Sequence, residues 1–229
     1  MNVDDRLLAA IPRRSSLADE VYTILERRLI EGTIAAGSSI IIDGLAKEFA
    51  VSHTPIREAL ARLESTGLVS RTAHRGYRAA PLSTVEELAN LMEARVTIEP
   101  RCAALASQAL SDAFLAELTA AVEALDAYDG SRDFHLFWEA DARFHQLIAT
   151  NTGNRFLAAA FEALGGHVQR FRLFGALGGS DIQFAALEHG RILDAIRAGD
   201  AEAAEREMAA HLTNARDRAT ADRSVIAEL

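Results

Sequence analysis

From Ser83 onward the chain carries no strand pattern at all, and this constrains the fold more than any single motif. What recurs there is apolar spacing of three and four residues, punctuated by residues that start and stop helices. Ser83 with Glu86 reads as a capping box opening a helix to about Gln108, bent near Pro100. Ser111 starts a second helix, to about Tyr128, and a third spans about Asp133 to Thr150, closed by Asn151-Thr152-Gly153. Asn154 caps a fourth, which Gly165-Gly166 is expected to break or kink, and Gly175, Gly178 and Gly179 mark a loop. Asp181 to Ala198 and Asp200 to about Ala221 complete the set, with Gly199 as the C-cap between them. The alanine enrichment suits close helix packing. Residues 83–222 are therefore expected to form an all-α bundle of six or seven helices, followed by a tail over 223–229.

The first part of the chain reads differently. Residues 1–14 look like a flexible arm. Leu17, Val21, Ile24, Leu25 and Leu29 then place an amphipathic helix between Leu17 and Glu31, and Gly32 and Gly37 mark a turn. Ile40 to Ile42 form a short β-like run, Asp43 caps a second helix through Phe49, and Ser52 or Thr54 caps a third ending near Gly67. Leu68–Arg71 and Tyr77–Ala80 flank Ala73-His74-Arg75-Gly76, two extended segments with a basic, Gly-containing tip. Three helices and a hairpin over residues 15–80 predict a winged helix-turn-helix, joined by a linker at 81–82 to the helical part. The fold class is mainly α.

The ten residues Val51–Leu60, VSHTPIREAL, suggest what the first part does. Ile56, Ala59, Leu60 and Leu63 make an apolar stripe, while Arg57 and Arg62 project from the same helix. Such a helix fits a DNA major groove. Net charge is consistent with this once divided: residues 1–80 hold 11 Lys+Arg and 10 Asp+Glu, whereas residues 81–229 hold 13 and 23. The acidity belongs to the helical part, so the first part is free to approach phosphate. It is close to neutral, so two copies acting together are expected. No run is long and apolar enough to span a bilayer or to serve as a signal peptide, and the single Cys102 fits a reducing compartment, so the expected location is cytoplasmic. Cys102 itself reads as a small core residue.

In the second part, Asp141 and His145 are four apart and share a helix face. His189 and His211 lie on either side of Gly199, so an antiparallel hairpin brings them to about the same level. One Asp and three His converging inside a bundle suit a divalent ion, zinc first, with nickel or manganese as alternatives. The competing reading is a solvated Asp141–His145 pair and unrelated core histidines. His53 and His74 lie where they could touch DNA; His135 and His167 share no such geometry. Arg95 reads either as a two-pronged partner for a carboxylate ligand or as a salt bridge to Glu99 or Glu93. Asn151–Asn154 reads as a helix-end turn rather than a binding loop.

Together these halves resemble the GntR family of bacterial transcription regulators, in the branch carrying the FCD (fatty-acid-regulator type) ligand-binding domain. VSHTPIREALARLESTGLV resembles the family's recognition-helix motif, and Arg75-Gly76 stands where its wing tip does. Asp141-x3-His145, Glu188-His189 with the following Ile192, Ala195, Ile196, Gly199 and Asp200, and Met208-x2-His211 resemble the FCD metal motif; Arg95 to Glu99 resembles the start of that domain. The resemblance covers about residues 17–215. His53 departs from it, since the family commonly has Arg directly after the Ser, and so does Ile42-Asp43-Gly44, where some relatives place a basic residue. Nothing points strongly to the longer acyl-CoA-binding variants.

The resemblance implies a dimeric, ligand-responsive repressor on a double-stranded DNA operator. Ser52, His53, Thr54, Arg57, Arg62, Arg75 and Gly76 would face DNA. Asp141, His145, His189 and His211 would hold a divalent metal, and Arg95 would meet a small carboxylate effector. The rival readings are a regulator with a purely structural metal and a helical-bundle metalloenzyme. Against the latter, no general base stands beside the cluster in sequence, and the paired Glu-x-x-His motifs of di-iron bundles are missing.

Overall fold

The computed structural model describes residues 16–72, 76–81, 83–128, 134–172 and 180–227. The proposed arm at 1–14, His74, Arg75, Leu82 and the Gly175–Gly179 loop lie outside them, as do the side chains of His135 and His167.

The first unit begins with α1 (Leu17–Ile30), opened by a capping box in which Ser16 and Asp19 bond each other's backbone N–H. Its buried stripe is Val21, Leu25 and Leu29, while Leu17 and Ile24 stay largely exposed. β1 (Ser39–Ile40) leads to α2 (Ile42–Phe49). The N-cap of α2 is Ile41, with Asp43 inside the first turn. This moves the helix start upstream of the expected cap; the Asp43 charge still favours the helix by lying at its positive end. After Ala50, held in the left-handed region at φ 54°, and Val51, the chain enters α3 (His53–Ser65) from Ser52. Ser52 occupies the N-cap position, but its hydroxyl makes no capping bond.

β2 (Val69–Thr72) and β3 (Gly76–Ala79) form the expected hairpin, registered Val69↔Ala79 to Thr72↔Gly76. β1 adds to its other edge, giving an antiparallel order β1-β3-β2. Tyr77 and Ala79 alternate inward from β3 onto Ile56, Leu60 and Leu63 of α3 and Leu25 and Leu29 of α1, the core on which the unit rests. The Arg78 guanidinium donates to the Gly37 carbonyl at 2.7 and 3.1 Å and to the Ser39 hydroxyl, tying the hairpin root to the α1–β1 connection.

Six helices follow among the described residues: α4 (Val85–Ala106), α5 (Asp112–Asp126), α6 (Phe134–Thr150), α7 (Arg155–Arg172), α8 (Ser180–Arg197) and α9 (Ala201–Ala227). Three boundaries differ from expectation. The capping box of α4 is Thr84 with Glu87, one residue later than Ser83 with Glu86. α7 runs unbroken through Gly165 and Gly166, because glycine weakens a helix without forbidding it. α9 continues through the proposed tail as far as Ala227. Ser111, Asn154 and Asp200 all cap as expected, each side chain accepting from backbone N–H two or three residues on. α4 lies along α9, α5 packs on α6 and α8, and α7 packs on α4 and α6.

Gly199 turns α8 back onto α9. Its N–H bonds the Ile196 carbonyl and the Asp200 N–H bonds the Ala195 carbonyl, a Schellman pair that needs the left-handed backbone found there (φ 69°). The Gln108 amide donates to the Gly199 carbonyl at 2.9 Å, fixing this turn against the end of α4.

Candidate functional site

Asp141 and His145 on α6, His189 on α8 and His211 on α9 meet inside the helical unit. All four are buried, and one ligand atom from each lies within 4.8 Å of all the others. His189 Nε2 stands 3.2 Å from His145 Nε2, and Asp141 Oδ1 stands 3.5 Å from the former and 3.8 Å from the latter. The i,i+4 spacing of Asp141 and His145 and the turn at Gly199 do what the sequence predicts of them. Phe144 packs edge-on to both His145 and His189, sealing one side.

Two of the three imidazoles have a carboxylate behind them. His145 Nδ1 is 2.5 Å from Glu99 Oε2 of α4, and His211 Nδ1 is 2.8 Å from Glu188 Oε2 of α8. Acceptors placed there fix the proton on Nδ1 of His145 and His211 and leave their Nε2 lone pairs free for a metal. His145 Nε2, His189 Nε2 and Asp141 Oδ1 converge at 3.2–3.8 Å, close enough for one cation to join all three. Zinc–nitrogen bonds of about 2.0–2.1 Å separate neighbouring ligand nitrogens by roughly 3.0–3.4 Å, so the 3.2 Å spacing fits a borderline divalent ion.

Burial depresses the His145 and His189 basicities. His145 is lowered by burial even though Glu99 and Asp141 pull the other way. His189 falls well below the ordinary value through burial and the neighbouring His211. Burial also opposes ionisation of Glu99, but Arg95 and His145 outweigh it and hold the carboxyl at about 2. His145 and His189 are thus held toward the neutral form that ligates a metal.

Arg95 is buried and takes the salt-bridge reading: its Nε is 2.5 Å from Glu99 Oε1, on the same helix. Glu99 and Glu188 were not among the expected site residues. The i,i+4 spacing of Arg95 and Glu99 signals their pairing, but nothing in the spacing joins Glu99 to His145 on another helix.

On the first unit, Ser52, His53, Thr54 and Arg57 are all exposed at the start of α3, beside Asp43 of α2. His53 Nε2 lies 3.2 Å from Asp43 Oδ1. Arg57 has no ion pair among the described residues. Arg62 is held by α1: NH1 is 2.6 Å from Asp19 Oδ1, and the guanidinium sits 4.3 Å above the Tyr22 ring. Gly76, at φ 79°, begins β3 with nothing near its missing Cβ, while the adjoining Arg75 lies outside the described residues.

Residues 17–78 match the model for bacterial regulatory proteins of the gntR family, and residues 90–214 match the FCD domain, over half of the chain. The chain belongs to the GntR family, with an FCD domain. It is a DNA-binding transcription regulator and not an enzyme. This GntR regulator is 28% identical over 201 residues to the probable D-xylose utilization operon transcriptional repressor of Paenarthrobacter nicotinovorans, covering 87% of each chain. It is 26% identical over 193 residues to the transcriptional repressor RspR of Escherichia coli K12, covering 84% of each. Its fold is similar to that of E. coli McbR/YncC, with TM-score 0.70 and 23% identity over 88% of this chain and 96% of the other. A GntR regulator from Rhodococcus sp. RHA1 gives TM-score 0.69 and 23% identity over 90% and 98%. Among the described residues no helix is long and apolar enough to cross a membrane.

Proposed function

We propose that this GntR regulator is a cytoplasmic, homodimeric repressor. Its helical domain holds a divalent metal, zinc first, on Asp141, His145, His189 and His211, and senses a small carboxylate there. The observation carrying the reading is the gathering of three imidazole nitrogens and one carboxylate oxygen, all buried, within 4.8 Å of one another.

Formal charge supports an anionic effector. Counted over carboxylates and guanidinium groups alone, Asp141, Glu99 and Glu188 stand against Arg95 and Arg218, a balance of one negative charge. A divalent ion reverses this to one positive charge, which a monocarboxylate neutralises, so the acid has reason to enter a low-dielectric site. The metal supplies the Lewis-acid centre that such an acid would complete. Arg95 adds positive potential from behind Glu99 and is proposed to assist the same ligand.

α4 is the element through which binding is felt. It carries Arg95 and Glu99 at the site and begins at Val85, directly after the linker. A ligand that binds one setting of α4 better than another would thereby bias the placement of the two winged units on DNA. Ser52, His53, Thr54 and Arg57 are proposed to enter the major groove, with Arg75 and Gly76 at the neighbouring backbone or minor groove. Arg62 is proposed to reach phosphate from the far end of the same helix. Near-neutral charge in the first unit supports a dimeric operator complex.

Complete burial of all four ligands favours a second reading, in which the metal is structural only. Calorimetric titration with a panel of small carboxylic acids, before and after chelation, decides between them. Acid binding that needs zinc, and that changes operator affinity in a mobility-shift assay, is expected of a sensor. Acid binding indifferent to chelation would leave the structural reading standing.

A further inference from the structure

We infer that Glu188, clamped by Arg218 and Asn214, is the positioning residue for the metal ligand His211, and that α9 thereby supplies both the ligand and the group that aligns it. The inference rests on the metal reading proposed above.

The Glu188 carboxylate is buried, and the structure gives it four donors. Its Oε1 accepts from Asn214 Nδ2 at 2.9 Å and Arg218 NH1 at 3.0 Å. Its Oε2 accepts from His211 Nδ1 at 2.8 Å and Arg218 NH2 at 3.0 Å. A carboxylate offers about four acceptor sites, so Glu188 is saturated. It has no lone pair left to ligate a metal, although it adjoins the ligand His189. What remains is to hold a proton on His211 Nδ1 and keep Nε2 bare toward the cluster.

The three residues that supply these donors come from one helix at spacings of about one turn: His211, Asn214 and Arg218. They form a socket on α9 into which α8 inserts one side chain. The guanidinium contacts are two-pronged, which fixes the plane of the carboxylate as well as its position. Arg218 is also placed 5.7 Å from the Phe184 ring, one turn back on α8 from Glu188. A plain helix–helix ion pair requires only Glu188 and Arg218. The 2.8 Å bond to the ring nitrogen away from the cluster is what a positioning residue adds.

Glu188→Gln tests this at almost constant volume. The amide can turn its NH2 toward Nδ1, which moves the imidazole proton to Nε2 and into the cluster. Zinc affinity is measured by competition with a chromophoric chelator, on full-length protein. The expected result is a loss of about 10–100-fold, the range for groups behind metal ligands. Cobalt(II) loaded in place of zinc is expected to show an altered visible spectrum, which a merely structural ion pair would leave unmoved. Arg218→Lys, which keeps the charge without the two-pronged clamp, is expected to retain most of the affinity. If Glu188→Gln does not fold by circular dichroism, Arg218→Met decides: several-fold weaker zinc supports the proposal, and unchanged zinc overturns it. Unchanged zinc affinity and cobalt spectrum in folded Glu188→Gln overturn it as well. Wild-type protein that takes up neither zinc nor cobalt is a different result, removing the metal reading itself.

Discussion

Arg57 is the exposed cation of the recognition helix that no other element claims among the described residues. Arg62 is tied to Asp19 and Tyr22, and His53 to Asp43. Arg57→Ala is therefore expected to weaken operator binding by about 1–3 kcal/mol if Arg57 reads a base, and to shallow the salt dependence by about one counterion if it meets phosphate. Fluorescence anisotropy across a salt series separates these, and wild-type affinity at moderate salt would remove Arg57 from the interface. His189 stands at the other end of the molecule's chemistry, fully buried with its Nε2 turned to Asp141 and His145. His189→Ala is expected to abolish stoichiometric metal in protein dialysed against zinc and assayed by mass spectrometry. Retained metal at wild-type stoichiometry would count against the four-residue site.

The opening of α4 shows how much of an element a sequence specifies. Ser83-x-x-Glu86 and Thr84-x-x-Glu87 are two capping boxes in adjacent frames, and local pattern cannot rank them. The structure takes the second, with Thr84 Oγ1 accepting from Glu87 N at 3.0 Å and Glu87 returning a bond to Thr84 N at 2.9 Å. Thr84→Ala should therefore cost about 1 kcal/mol of stability and Ser83→Ala little, read from paired urea melts. Equal effects would mean that the frame is wrong. The fold class and the hairpin were legible from local periodicity, and each half of the Asp141, His145, His189 and His211 cluster from an i,i+4 spacing or one glycine turn, while the meeting of the halves was legible only through the resemblance to the FCD motif. Gly165-Gly166 misled because tertiary packing carries a helix across weak residues. Glu99 was not legible as the partner of His145: it lies on a different helix, and only the packing of α4 against α6 joins them.

At the scale of the whole molecule, the same buried groups make stability depend on pH when metal is absent. His145 and His189 are held below the ordinary imidazole value of 6.5, so the unfolded chain takes up their protons first as pH falls. Their contribution is intact above about 6.5 and declines below it. Glu99 and Glu188, both held at about 2 against an ordinary 4.5, add a second decline as pH drops below about 4.5. Burial opposes the ionisation of Glu188, but His211, Arg218 and Asn214 overcome it. Chelated protein is expected to lose melting temperature steadily from pH 7 to pH 5, and zinc to raise it at pH 7; a flat profile would contradict this assignment. The route of the chain through the site has a consequence for its birth. Asp141 and His145 leave the ribosome first of the four residues, and His211 comes last, on α9. On the metal reading proposed above, the four-residue site is complete only once synthesis has passed His211, so a product terminated before α9 would keep the winged unit and lack one of the residues proposed to hold the ion.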